Sequence, residues 1–259
     1  MENIKKILIC LTAILTLSAA VSCQKDDTIQ YNNSTMGNIV NGTFISDQGN
    51  IFNVVDQTCD GKLDTLKRAF VVCDILNKTA GGSSNEYDVR VNYIADVLTK
   101  NVVPTAEATD EMKVMDPIRI DYIWLSGGYV NMFVVFPVKE GSKTTHLVNL
   151  IHEGMMTDKG SKEGKSGTYR FTLCHNSYGD KITPPQTQGY LLTGGYVSFP
   201  LSSFISENEA EIQIDWVWHK AIGTGLSTEL DNKTVSTIFK KDEYTNAPST
   251  SYARIGGIR

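Results

Sequence analysis

The sequence predicts an all-β protein, a small OB-like barrel followed by an antiparallel β-sandwich. Three observations carry that expectation. Apolar residues recur at period two in run after run, as in Tyr87, Val89, Val91 and Tyr93 and again in Ile212, Ile214, Trp216 and Trp218. The runs are short and bounded by turn formers such as Asp47-Gln48-Gly49-Asn50 and Ser126-Gly127-Gly128. No long stretch carries the three-to-four spacing of an amphipathic helix.

The chain opens on a different pattern. Lys5 and Lys6 precede an apolar run from Ile7 to Leu17, and small residues lead into a cysteine in Leu17-Ser18-Ala19-Ala20-Val21-Ser22-Cys23. A basic head, a short apolar stretch and small residues predict a secretory signal peptide over 1–22, too short for a membrane span. The cleavage region resembles the lipobox of bacterial lipoproteins. That resemblance implies that Cys23 is the first mature residue and carries the lipid that attaches the protein to a membrane. One acyl chain anchors only marginally, and lipoproteins of this class carry three. The next residues, Gln24-Lys25-Asp26-Asp27, resemble the export signal of lipoproteins on the outer face of the outer membrane in one large group of Gram-negative bacteria; a short charged spacer is the competing reading. Residues 23–37, polar and Asn-rich, are expected as a flexible tether.

The OB-like barrel is expected over 38–103. Thr43–Ser46 and Ile51–Val55 flank a turn at 47–50 and read as a hairpin. Arg68–Leu76 reads as a central strand. Glu86–Ile94 alternates strictly, and 97–103 extends it. Four or five strands in so short a stretch fit a small barrel. Residues 104–117, with a proline at each end and four acidic residues, are expected as the linker between domains.

The sandwich is expected over 118–259. Ile118–Leu125 and Tyr129–Val138 form a hairpin around Ser126-Gly127-Gly128, and the second run is apolar enough for the middle of a sheet. Strands follow at 146–152, 169–176, 195–201 and 211–220. The pair Trp216 and Trp218 should anchor a core. The tail after Leu226 is weaker, with one short strand at 235–239.

Charge and cysteine content narrow the function classes. Removing 1–22 takes two of the 24 basic and one of the 29 acidic residues, which leaves 22 against 28. A mildly acidic chain without a basic stripe argues against nucleic acid as a partner and against electrostatic docking on an anionic bilayer. Cys59, Cys73 and Cys174 remain after Cys10 and Cys23 are set aside. An oxidising compartment permits a Cys59–Cys73 disulfide; the competing reading is three small buried hydrophobes.

Several hairpins together resemble a known family. Gly42-Thr43-Phe44-Ile45-Ser46-Asp47-Gln48-Gly49-Asn50-Ile51-Phe52, Tyr87-Asp88-Val89-Arg90-Val91, Asp121-Tyr122-Ile123-Trp124-Leu125-Ser126-Gly127-Gly128-Tyr129-Val130-Asn131-Met132 and Phe171-Thr172-Leu173-Cys174-His175-Asn176 are similar to stretches of the NigD-like lipoproteins. That family pairs an N-terminal OB-type domain with a C-terminal β-sandwich. The resemblance implies fold and compartment, and it carries no activity onto particular residues.

Catalytic signals are sparse. His146 and His152 are six apart and share a face if one strand runs between them, His175 and His219 sit on other strands, and no HExxH, CxxC or HxH spacing builds a zinc site from them. Gly160-Ser161-Lys162-Glu163-Gly164-Lys165-Ser166 is one residue short of a phosphate-binding loop and lacks a following helix, so it reads as a hairpin loop. No GxSxG elbow is present. Asp121, Asp180 and Asp215 lie among strands, with nothing to fix two of them at a glycosidase separation. Asp27-Thr28-Ile29 and Asp64-Thr65-Leu66 resemble an acceptor pattern for bacterial O-glycosylation. Trp124, Tyr129, Tyr178, Tyr190 and Tyr196 lie beside Gly-rich turns, where exposed rings stack on sugars or meet a protein; packing at core edges is the competing reading. The expectation is a lipid-anchored, non-catalytic binding module at the outer membrane, without cofactor or metal, for a glycan or an envelope polypeptide. The rivals are an extracellular hydrolase of polysaccharide or peptide and a purely structural envelope component.

Overall fold

The structure is a computed structural model that describes residues 30–156, 167–181, 190–222 and 225–241. β1 (Gln30–Val40), β2 (Thr43–Ser46), β3 (Ile51–Gln57), β4 (Arg68–Lys78) and β5 (Glu86–Thr99) close into a barrel in the ring order β1-β2-β3-β5-β4. Closure comes from β3, which pairs antiparallel with β2 and parallel with β5. The β1–β2 connection is Asn41-Gly42, both at positive φ (52° and 80°), the two-residue turn whose twist matches that of its flanking strands. Alternate residues fill the interior: Phe44, Phe52, Val71, Cys73, Val89 and Val91. Leu63, on a single 3-10 turn at Leu63–Thr65, closes that core between β3 and β4.

The barrel's sheet does not stop at the barrel. The end of β5 pairs in parallel with β11 (Tyr190–Pro200), which continues to β8 (Tyr129–Lys139) and β7 (Arg119–Ser126), so one eight-stranded sheet runs through both halves. The second sheet has the order β13 (Gly225–Lys240), β12 (Glu209–Ile222), β10 (Thr168–Asn176), β9 (Leu147–Met156) and β6 (Val103–Pro104). Phe136, Leu150, Phe171, Phe199, Ile212 and Ile214 meet between the two sheets in the largest core cluster. A third cluster sits where the continuous sheet folds back on itself. There Met36, Phe70, Val72 and Ala95 of the barrel pack on Trp124, Phe133, Val135 and Tyr196. Phe70 and Tyr196 stack at 4.4 Å and 11°. Each large ring buried there is worth roughly 1.5–3 kcal/mol against leaving it in water, so this cluster ties barrel to sandwich.

Several expectations change in detail. β1 begins at Gln30, inside the stretch expected as tether, because its Asn- and Ser-bearing positions pair with β4 while Met36 drops into the junction core. β13 runs from Gly225 to Lys240 where a short strand was expected; its polar residues alternate outward and Val235 and Phe239 inward, which hides a strand from a reading based on apolar runs. The sheets are mixed, since β5–β11, β10–β12 and β6–β9 are parallel. Cys59, Cys73 and Cys174 are free thiols, with Cys73 and Cys174 buried, so of the two readings it is the small buried hydrophobe that describes Cys73 and Cys174, and the Cys59–Cys73 bridge is not formed. Burial pushes the Cys73 and Cys174 thiols up to about 12, which keeps them protonated and inert. Among the described residues no helix is long and apolar enough to cross a membrane.

Candidate functional site

Two buried polar clusters and two surface depressions hold most of the chemistry. The first cluster is at the barrel–sandwich junction. Arg68 starts β4 and is 1% exposed. Its guanidinium grips Asp47 with two bonds of 2.8 and 2.7 Å. The other three N–H groups reach Asn38 Oδ1 (3.1 Å), Asn131 Oδ1 (2.9 Å) and Ser198 Oγ (3.0 Å). All five donors are therefore used. Ser126 Oγ donates to Asp47 Oδ2 at 2.5 Å, and Asn131 Nδ2 donates to Ser126 Oγ at 3.0 Å. The Tyr129 ring covers the guanidinium carbon at 4.1 Å. Barrel residues Asn38, Asp47 and Arg68 thus lock onto sandwich residues Ser126, Tyr129, Asn131 and Ser198. Gly127 sits so close that a Cβ there would lie 2.7 Å from Asp47 Oδ1.

The second cluster brings together two of the four histidines. His146 and His175 are 0% and 1% exposed, and Phe136 stacks on His146 at 4.6 Å. His175 Nδ1 lies 3.0 Å from the Pro117 carbonyl, so it must carry a proton. A neutral His175 then offers Nε2 as acceptor, and His146 Nδ1, 2.9 Å away, must donate to it. His146 Nε2 faces Asp180 Oδ2 at 3.3 Å. Two neutral rings supply two protons for three contacts; the contact with Asp180 needs a third. Burial pushes His146 down, and the Asp180 carboxylate pulls it partly back. Burial also pushes His175 down, to about 4, and a charge on His146 would add to this. Burial works against the Asp180 carboxylate, but Ser142, the Lys139 amide and His146 outweigh it and hold it below the usual range. Neighbouring Asp116 is likewise held low, despite burial, by Lys181 at 2.7 Å and by two bonds from Ser177.

A groove of about 450 Å³ lies between β7 and β13, lined by Ile123, Trp124, Leu125, Val235, Ser236, Thr237 and Ile238. β7 ends one sheet and β13 ends the other. The groove thus separates two strand edges, and its lining carries no ionisable side chain. A smaller pocket of about 300 Å³ at the barrel holds Asn33, Ser34, Thr35, Gln48 and Asn50 beside Phe52 and Tyr87.

The aromatic residues singled out in the sequence divide. Trp124 and Tyr196 are buried in the junction cluster, edge to face at 6.5 Å, because the sheet folds its outer face inward at that point. Tyr196 offers no ring to a ligand; Trp124, although 7% exposed, still lines part of the groove, and its Nε1 is a buried donor without a partner among the described residues. Tyr129 covers Arg68. Tyr178 is 41% exposed at φ 51°, with its hydroxyl on Glu111. Tyr190 opens β11, paired with Lys139. His152 lies against Tyr169, Phe171 and Phe204, and among the described residues the His219 ring has one hydrogen-bond partner, the Ser227 carbonyl, which fixes its Nδ1 as the donor. Asp121 pairs with Arg119, Asp215 with Arg170, and Asp180 with His146, so the three carboxylates serve separate places. No group of three metal-binding side chains converges among the described residues. Thr65 turns its hydroxyl to the Lys62 carbonyl. Cys23, Asp27-Thr28-Ile29 and the loop 160–166 lie outside the described residues. Sequence reasoning missed the Arg68 cluster altogether. Its one signal was an arginine opening an otherwise apolar strand.

Comparison with known proteins agrees with the architecture. The NigD-like C-terminal beta sandwich domain matches residues 101–232, just over half of the chain. A solved protein of unknown function from Bacteroides vulgatus is 19% identical, with a TM-score of 0.52 over 82% of this chain and 90% of that one. A NigD-like immunity protein from Bacteroides caccae is 16% identical, with a TM-score of 0.51 over 80% and 92%. Among curated proteins none matches.

Proposed function

Since the chain belongs to the NigD-like family, we propose that it is a lipid-anchored envelope protein that binds an extended polypeptide without catalysis. The observation that carries this reading is the groove between β7 and β13. Each is the outermost described strand of its sheet, and the lining between them carries apolar and hydroxyl side chains without a charge. An added strand satisfies one edge through its backbone while alternate side chains enter the groove. β13 has neither proline nor a register shift between Leu230 and Lys240, two of the devices that protect an edge, and its charged residues Asp231, Lys233 and Lys240 lie outside the groove lining. The convergent ionisable residues, by contrast, are sealed: His146, His175, Asp116 and Asp180 are each less than a tenth exposed. A hydrolytic site needs such groups at an open cleft.

The test uses the mature chain, 23–259, and a displayed library of ten-residue peptides. Enrichment of neutral, β-branched segments is expected, with binding lost in Ser236→Pro, which removes a backbone donor from the edge. Failure to enrich, or binding that Ser236→Pro leaves intact, overturns the reading. A second reading rests on the barrel pocket, whose neutral amides and hydroxyls beside Tyr87 suit a glycan; selective binding on a glycan array would favour it. The anchor is tested separately. Cys23→Ala should abolish labelling by palmitate, and protease added to intact cells should digest the mature chain if it faces outward.

A further inference from the structure

The histidine cluster ties down the segment that joins barrel to sandwich. Around it, His175 N donates to the Val114 carbonyl at 2.9 Å, Asp116 N donates to the His175 carbonyl at 2.9 Å, and His175 Nδ1 donates to the Pro117 carbonyl. Asn176 Nδ2 reaches the Glu111 carbonyl at 3.2 Å, and Ser177 binds the Asp116 carboxylate. Every one of these bonds runs from the end of β10 to residues 111–117.

The His175 ring, which holds Pro117 through Nδ1, makes one further contact with a strict proton limit. His146 Nδ1 and His175 Nε2 are 2.9 Å apart. One proton between them makes a hydrogen bond. Two would set N–H against N–H. His175 Nδ1 is committed to Pro117, so a charged His175 must place its second proton in that gap. His146, once charged, also fills the gap from its side. The chain from Pro117 through His175 and His146 to Asp180 therefore accommodates one extra proton, which completes the Asp180 contact, and rejects another. The charged groups around it are Asp180 and Lys181 from the loop after β10, Asp116 before β7, and Lys139, which meets Asp180 through its amide at the end of β8. Phe136 of β8 packs on both rings and adds no charge.

We propose that the Pro117–His175–His146–Asp180 chain is an acid-sensitive latch: a second extra proton breaks the ring–ring bond and frees residues 111–117 from β10. In unfolded or opened chain both rings take protons below about pH 6.5, so acid favours the open form. The proposal is independent of what the groove binds.

Hydrogen exchange on the mature chain, corrected for intrinsic rates, tests it. Between about pH 7.5 and pH 5, amides of 111–116 should lose protection by roughly tenfold or more, while β2–β4 keep theirs. His146→Gln removes one titrating ring and leaves an amide able to accept from His175, so the acid effect should vanish in that variant. Should the variant not fold, ring-nitrogen NMR of the wild-type chain gives the same answer. The expected pattern is a His175 protonated on Nδ1 alone at neutral pH, gaining its second proton only as the segment opens. Uniform loss of protection, no loss at pH 5, an acid effect retained in folded His146→Gln, or two rings that titrate independently while the segment stays protected would each overturn the latch.

Discussion

The Arg68 cluster and the histidine chain are both shut away from water, and they satisfy their polar atoms in different ways. In the first, five fixed donors meet five acceptors, and the two charges cancel inside one bidentate pair. Nothing in it needs a proton to arrive or leave near neutral pH. In the second, two rings and a carboxylate make three contacts with a proton count that depends on the solution. The difference teaches where sensitivity to conditions enters this fold. The junction of barrel and sandwich needs no change of protonation, whereas the His175 ring that holds the connecting segment through Pro117 also makes a ring–ring bond that a further proton opposes.

The sharpest way to break that comparison is to unpair the arginine. Asp47→Ala leaves a guanidinium buried without its counter-charge, and losing one member of a buried pair typically costs about 3–5 kcal/mol. Urea unfolding of the mature chain should show a loss of that size. A loss under about 1 kcal/mol would mean that water enters the junction, and the clamp would then be no more rigid than the histidine chain.

Acid comes next in size. His175 has a folded value of about 4 against an ordinary 6.5. The folded state keeps this ring neutral, so its contribution to stability is fully present above pH 6.5 and is lost as pH falls from 6.5 toward 4. A shift of that extent corresponds to roughly 3 kcal/mol by pH 4. His146, His152 and His219 are pushed down by burial too and add in the same direction. Asp116 and Asp180, held low, begin to contribute to the loss only below about pH 4. Unfolding midpoints that stay flat from pH 7 to 5 would put ordinary, water-accessible imidazoles at these positions.

The contrast between the clusters also explains what the sequence could show. Strands such as Glu86–Thr99 and Tyr129–Lys139 were legible because burial on one face or both writes itself into apolar spacing. β13 was legible only at 235–239, because an edge strand buries few residues and its polar side chains mask the period over the rest. The continuous sheet was not legible: β5 and β11 are far apart in the chain, and nothing local marks a parallel pairing. That hidden pairing is what buries Trp124 and Tyr196, whose glycine-rich surroundings had suggested ligand contacts. Arg68, Asp47, Asn131 and Ser198 lie on four different strands or turns, so their meeting is a product of topology alone. For His146 and His175 only the residue types could be read in advance, and their 2.9 Å separation comes from the fold.

The smallest effect isolates the clamp from backbone strain. Gly42 and Gly127 both hold positive φ, at 80° and 59°. Alanine at either site strains the left-handed backbone by about 1 kcal/mol. At Gly42 the new methyl meets nothing within 4 Å, whereas at Gly127 it would lie 2.7 Å from Asp47 Oδ1. Asp47 cannot step aside without stretching its bonds to Arg68 and Ser126. Gly127→Ala should therefore cost more than Gly42→Ala by about 1 kcal/mol or somewhat more, and the excess should disappear in an Asp47→Ala background, where the obstructing carboxylate is gone. Equal costs in the wild-type background would show that the turn yields before the clamp does, and the junction would lose its claim to be the stiffer of the two clusters.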